Sequence, residues 1–204
     1  EDADFVIEAI IEDIENKKNL FNRLDKIFSN DIVLASNTSS LSISEIAKSA
    51  NHPERIAGMH FFNPAYKMKL VEVVKGIKTS RDTIEKTKKL ANILEKIPVE
   101  VNDTPGFIVN RILIPMINEA AFALQDNVAD KESIDTAMKL GAAHPMGPLA
   151  LADLIGIDVC LHIMESLEKN LNNPKYKPCE LLKQMVKENK LGRKTGQGFY
   201  TYKK

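Results

Sequence analysis

Phe5-Val-Ile-Glu-Ala-Ile10, the stretch from Ile14 to Ser29, and Ile32-Val-Leu-Ala-Ser36 decide the fold. The first and third are short runs of β-branched and apolar residues, the pattern of strands buried on both faces. Between them Leu20, Leu24, Ile27 and Phe28 recur among charges at helical spacing. Strand, helix and strand in that order predict a βαβ unit with a right-handed crossover, whose ligands gather past the carboxyl ends of the strands. Ser36-Asn-Thr-Ser-Ser40 falls at that rim. Such runs usually cap a helix, here one from about Ser42 to Ser49, and one hydroxyl can cap while another faces a ligand.

Outward from this unit, Arg55-Ile-Ala-Gly-Met-His-Phe-Phe62 reads as a third strand, Asn63-Pro64 as a turn, and Leu70-Val-Glu-Val-Val74 as a fourth strand carrying one carboxylate. His60 thus sits near a strand end with Glu72 on the neighbouring strand. A lone histidine beside a strand is more often a hydrogen-bonded core residue than a catalyst. A carboxylate bonded to one imidazole nitrogen, however, fixes the tautomer and leaves the other nitrogen to take a proton, the working part of a general base.

Arg81 to Lys96 predicts an amphipathic helix with Ile84, Leu90, Ile93 and Leu94 on its apolar side, and Pro98 to Asn102 a last strand. The composition then changes, placing a domain boundary near Asn102: residues 1–102 read as α/β and residues 103–204 as helical. Asp103-Thr-Pro-Gly opens the helical part, with Pro105 in a first turn. Ile108, Ile112, Met116 and Ala120 form one face of a helix that Pro115 should kink. Asp130 caps a helix with Ile134, Ala137 and Met138 inward, Pro148 to Leu171 is broken near Gly156, and Cys179 to Asn189 closes the set. Phe199-Tyr-Thr-Tyr is the one further strand-like run. Phe107, Ile114, Ile117 and Phe122 lie off the first helix's stripe, and a helix apolar nearly all round needs partners on all sides, which points to a homodimer through this part.

The sequence has 204 residues, 44% hydrophobic and 27% charged, enough for one or two domains with sizeable cores. Its 28 basic and 28 acidic residues cancel, which argues against nucleic acid or an anionic membrane as partner. Cys160 and Cys179 have neither metal-ligand nor redox spacing and read as free structural thiols. No His/Cys/Asp/Glu set has ligand spacing, so no metal is expected. His144 and His162 gain no partner from the sequence. No signal-peptide pattern or long apolar run occurs. Gly-x-Gly-x-x-Gly is absent, and Gly192-Arg-Lys-Thr-Gly-Gln-Gly198 has the wrong spacing for it. A nucleotide-binding sheet without its phosphate loop implies that roughly 60 to 90 residues of βαβ precede Glu1, and that these residues alone hold dinucleotide weakly. Tyr66 is followed four residues on by Leu70, so the Tyr-x-x-x-Lys pair of short-chain dehydrogenases is lacking.

Four motifs stand in order: Ser36-Asn-Thr-Ser-Ser-Leu41, His60-Phe-Phe-Asn-Pro64, Leu70-Val-Glu-Val73 and Asp103-Thr-Pro-Gly-Phe-Ile-Val-Asn-Arg111. The set resembles the 3-hydroxyacyl-CoA dehydrogenase family, nearest its short bacterial members acting on 3-hydroxybutyryl-CoA, and the likeness runs from Asp2 to the Gly196-Gln-Gly-Phe-Tyr terminus. It implies a partial Rossmann-type dinucleotide-binding domain followed by an all-α C-terminal domain. By the same resemblance His60 is the general base, Glu72 holds it, and Ser39 and Asn110 bind the substrate oxygen at carbon 3. Cofactor contacts carry over to Glu12, Lys17, Ser39, Asn63 and Lys194. In any other protein Lys17 and Lys194 would read as solvated charges and Asn63 as a turn residue. The implied partners are NAD, with NADP left open, and an acyl-CoA thioester. The implied assembly is a homodimer in the cytoplasm, serving butyrate metabolism. The rival expectations are a relative acting on another 3-hydroxy acid or polyol, and a catalytically silent homologue.

Overall fold

The computed structural model describes residues 3–203. They form two compact units, divided between Ile108 and Val109. In the first, a five-stranded sheet has the order β1 (Phe5–Glu8), β2 (Val33–Ser36), β3 (Ile56–Phe61), β4 (Leu70–Lys75) and β5 (Ile97–Asn102). β1, β2 and β3 are parallel, β4 runs antiparallel to β3, and β5 is parallel to β4. Helix α1 (Ile14–Ile27) makes the crossover from β1 to β2. Asp13 accepts the Asn16 N–H at its start, and Glu15 and Lys26 match the helix dipole at its two ends.

Strand periodicity assigns each side chain to a face. Met59 and Phe61 on β3, with Val71 and Val73 on β4, enter the apolar layer shared with helix α3 (Arg81–Ile93). Ile56 and Val74 enter the opposite layer, with Phe21 of α1, Ile43 and Ile46 of helix α2 (Ile43–Ala47), and Phe107. His60 and Glu72, one residue out of phase with the first set, therefore share the second face. Gly58 lets this face close up: a Cβ there would lie 2.6 Å from Val74 Cβ and 3.1 Å from Ile43 Cδ1.

The second unit contains α4 (Val109–Gln125), α5 (Lys131–Gly141), α6 (Pro148–Ile155), α7 (Ile157–Leu171) and α8 (Glu180–Lys187) around one apolar core. Gly156, at φ 109°, separates α6 from α7. Asp153, buried on α6, accepts the N–H groups of Phe199 and Tyr200 and the Tyr202 hydroxyl. A Cβ at Gly192 would lie 2.3 Å from the Asp153 carbonyl, so the terminal Gly192–Tyr202 segment packs against α6 in a way only glycine permits there.

Several expectations are corrected. The buried side of α3 is Thr83, Ile84, Thr87 and Ala91, while Ile93 is 67% exposed. In α4 the core takes Ile114, Ile117, Ala120 and Ala121, and Ile112, expected inward, is 64% exposed. The inward side also takes the polar Asn118, whose side chain donates to the Lys177 carbonyl and accepts the Cys179 N–H, so apolar spacing alone did not mark it. Ile114 and Ile117 are buried in the helical core with Phe122 packed on it, and Phe107 is buried in the first unit's layer with α1 and α2, so these four positions give no ground for a dimer. Ala137 is exposed on α5, where Ile134 and Asp135 face inward. Phe199 to Tyr202 forms an isolated bridge instead of a strand. Asp103 opens no helix of its own: its carboxylate accepts the Ser42 hydroxyl and the N–H groups of Ile43 and Ser44 at the start of α2. Among the described residues no helix is long and apolar enough to cross a membrane. Cys160 and Cys179 are buried free thiols, and burial followed by the charges of Asp158 and Asp153 pushes Cys160 up to about 12.

Candidate active site

Two polar clusters lie at the rim formed by the carboxyl ends of β1, β2 and β3. The first follows from strand register, which sets His60 directly opposite Glu72. Glu72 Oε2 is 2.8 Å from His60 Nδ1, and Oε1 accepts the Ile108 N–H at 3.0 Å. The carboxylate side chain is 1% exposed and the imidazole 7%. Phe62 and Phe107 border the ring at centroid distances of 4.6 and 5.7 Å. A buried carboxylate facing Nδ1 favours the tautomer with its proton there, directs the acid/base role to Nε2, and stabilises the imidazolium once Nε2 has taken a proton.

The second cluster is built on loops. Glu12 accepts hydrogen bonds from Thr38 Oγ1 at 2.6 Å and the Ser39 and Ser40 N–H groups at 2.8 and 3.1 Å, and from both serine hydroxyls. Burial opposes its ionisation, but the bonds from Thr38, Ser39 and Ser40 with the charge of Lys17 outweigh that and hold its carboxyl below the ordinary value. Lys17 is no solvated charge: it is 1% exposed, 2.6 Å from Glu8 and 3.4 Å from Glu12. Glu8 also accepts the Ser36 hydroxyl at 2.6 Å and the Ile10 N–H. The Ser36–Ser40 run is thus fastened to β1 and the following loop, and α2 is capped by Ser42 and Asp103 instead.

Asn37 joins the clusters by accepting the Phe61 N–H at 2.9 Å, tying the end of β2 to the end of β3. Asn63, exposed beyond β3, precedes a cis Pro64. The turn after it is held by Lys96, whose ammonium donates to the carbonyls of Ala65 and Met68. Asn37, Thr38 and Lys96 were missed in the sequence because each acts through a loop contact that no local spacing encodes, and Glu8 because its tie to Ser36 appears only once β1 and β2 are in register. Asn110 lies in the first turn of α4, and Lys194 pairs with Asp158 of α7 at 2.6 Å, both within the helical unit.

Residues 1–104 match the family model for the NAD-binding domain of 3-hydroxyacyl-CoA dehydrogenase, and residues 106–202 match the model for its C-terminal domain. The chain belongs to the 3-hydroxyacyl-CoA dehydrogenase family. It is 55% identical over 203 residues to a 3-hydroxybutyryl-CoA dehydrogenase from Clostridioides difficile, covering 100% of this chain and 72% of that protein. A human mitochondrial hydroxyacyl-coenzyme A dehydrogenase is 49% identical over 98% of this chain and 64% of its own length. The crystal structure of (S)-3-hydroxybutyryl-CoA dehydrogenase from Ralstonia eutropha superposes with a TM-score of 0.96 at 47% identity, covering 98% of this chain and 71% of that one. As a member of this family the chain is an NAD-dependent oxidoreductase with a Rossmann-like domain followed by a helical one. The rim fits that cofactor: dinucleotides lie past the carboxyl ends of the strands in such sheets, where Ser39 follows β2 and Asn63 follows β3, both exposed.

Proposed function

We propose that this chain interconverts 3-hydroxyacyl-CoA and 3-oxoacyl-CoA thioesters, with 3-hydroxybutyryl-CoA and acetoacetyl-CoA as the preferred pair, and that His60 is its general acid/base. The observation that carries the proposal is the buried Glu72 carboxylate 2.8 Å from His60 Nδ1. In the oxidative direction His60 Nε2 takes the proton of the 3-hydroxyl while hydride leaves carbon 3, and the O–H electron pair becomes the second bond of the new carbonyl. NAD, when bound, supplies the hydride acceptor. Glu72 stabilises the imidazolium that results, and in reduction the protonated His60 returns its proton to the forming alkoxide. Ser39 and Asn110 hold the oxygen at carbon 3. Glu12, Lys17, Ser39, Asn63 and Lys194 serve the cofactor, Glu12 and Lys17 by shaping the Thr38–Ser40 turn.

NAD is preferred to NADP in this reading, and the setting is cytoplasmic. Two copies pair through the helical unit, a view supported by the exposure of Ile112 and Leu140 and tested by sedimentation at micromolar concentration. A monomeric mass with full activity would exclude the pairing. For the chemistry, the enzyme carrying this chain is assayed with acetoacetyl-CoA and NADH or NADPH. His60→Gln should lower kcat by about 10²–10⁴-fold with KM little changed. A near-normal kcat in that variant would overturn His60 as the base.

A further inference from the structure

We propose that Asp103 is a positioning residue for the His60–Glu72 pair, acting through a strap of backbone from Asp103 to Ile108. The inference rests on the catalytic reading above. Glu72 uses one oxygen for the imidazole and the other for the Ile108 N–H. Each bond to Oε1 restrains the carboxylate's turn about its last torsion, a turn that would swing Oε2 away from Nδ1. Bonding at Oε1 fixes its plane, so the location of the Ile108 amide helps set the imidazole's orientation.

Within the first unit the strap is held firmly at both ends. At its start the Asp103 N–H donates to the Lys75 carbonyl, continuing the β4–β5 pairing, and the carboxylate draws in Ser42, Ile43 and Ser44 with bonds of 2.7 to 3.1 Å. The chain then folds back on itself. Gly106 and Phe107 both take left-handed backbone conformations, at φ 74° and 46°, and the Phe107 N–H closes the turn on the Thr104 carbonyl. Phenylalanine rarely adopts such a φ, and its persistence requires surroundings that over-determine it. Those surroundings are present: the Phe107 ring is 3% exposed, sits in the layer with α1 and α2, and borders the His60 ring. Asp103 therefore anchors to α2 a turn whose far end delivers an aromatic ring to the base and an N–H to its partner.

The test is a double-mutant cycle in the full enzyme, reading kcat and KM with acetoacetyl-CoA and NADH. Asp103→Ala should lower kcat on the order of 10- to 100-fold, the range that a misplaced catalytic group costs, with the KM for NADH unchanged. Asp103→Asn, which keeps one acceptor oxygen, should recover part of the loss. In a Glu72→Gln background the Asp103→Ala loss should largely vanish, because a residue acting through Glu72 has nothing left to position. Should Asp103→Ala not fold, Asp103→Asn enters the same cycle, and its smaller loss should likewise largely vanish in the Glu72→Gln background. Losses that multiply across the cycle, or a raised KM for NADH with kcat intact, would overturn the positioning role while leaving His60 and Glu72 in place. A normal kcat in Glu72→Gln alone would instead overturn the catalytic reading beneath it.

Discussion

Glu72 and Glu12 are carboxylates at the same rim of one sheet, held in opposite ways. Glu72 stands in the middle of a strand, 1% exposed, and faces an imidazole that strand pairing sets opposite it. Glu12 stands on a loop with its side chain 37% exposed and is held by a turn that folds around it and by Lys17 beneath. A strand position fixes a side chain through neighbours on both sides, so Glu72 suits a role requiring one orientation. A loop position is only as firm as its hydrogen bonds, so Glu12 suits shaping a surface.

This contrast can be broken at several points. The largest effect is expected on the strand side, where Glu72→Gln should reduce kcat by more than about tenfold yet by less than the 10²–10⁴-fold expected for His60→Gln. Equal losses would mean that the carboxylate does more than orient the ring. On the loop side the largest effect is one of stability: Lys17→Met leaves Glu8 buried without its cation and should cost about 3–5 kcal/mol in urea denaturation. A loss below about 0.5 kcal/mol, the range of ordinary surface changes, would show that the loop cluster does not depend on that buried pair.

A smaller effect is expected for Glu12. Its pKa is depressed in the folded state, so its stabilising contribution is complete above the ordinary glutamate value and fades as pH falls through the lower folded one. Glu12→Gln should therefore lose less stability on acidification than the parent protein, and an identical acid limb would place Glu12 outside the network drawn here. Smallest of all, Ile93→Ser on the exposed side of α3 should stay within about 0.5 kcal/mol.

The same contrast explains what was legible in the sequence. β1, α1 and β2 follow from periodicity, and once β3 and β4 were recognised as neighbours a His60–Glu72 contact was open to inference, because both are strand positions. The Glu8–Lys17 contact joins the end of β1 to α1, and the Glu8–Ser36 contact joins register partners at the ends of β1 and β2, so neither shows until the strand register is fixed. Lys17 stood out only through the family resemblance, since a lysine among charges on an amphipathic helix ordinarily points to water, and its burial beside Glu8 and Glu12 was not readable from spacing. The helical part was misread in a different way: α4 is apolar on most positions, so its inward side could not be chosen from pattern alone, and Ile112 and Ile117 exchanged roles. Asp103 resembled a local helix cap and is instead a cap for α2, distant in sequence.

The central claim is that Glu72 holds the His60 proton on Nδ1 and so leaves Nε2 to accept a proton from substrate. The most direct measurement is the ¹⁵N spectrum of the His60 ring in selectively labelled enzyme, at a pH where the ring is neutral. The account predicts a protonated Nδ1 with a hydrogen-bonded shift and an unprotonated Nε2, the preference weakening in Glu72→Gln. A neutral ring carrying its proton on Nε2 would contradict it, for the nitrogen assigned to take the substrate's proton would already be occupied.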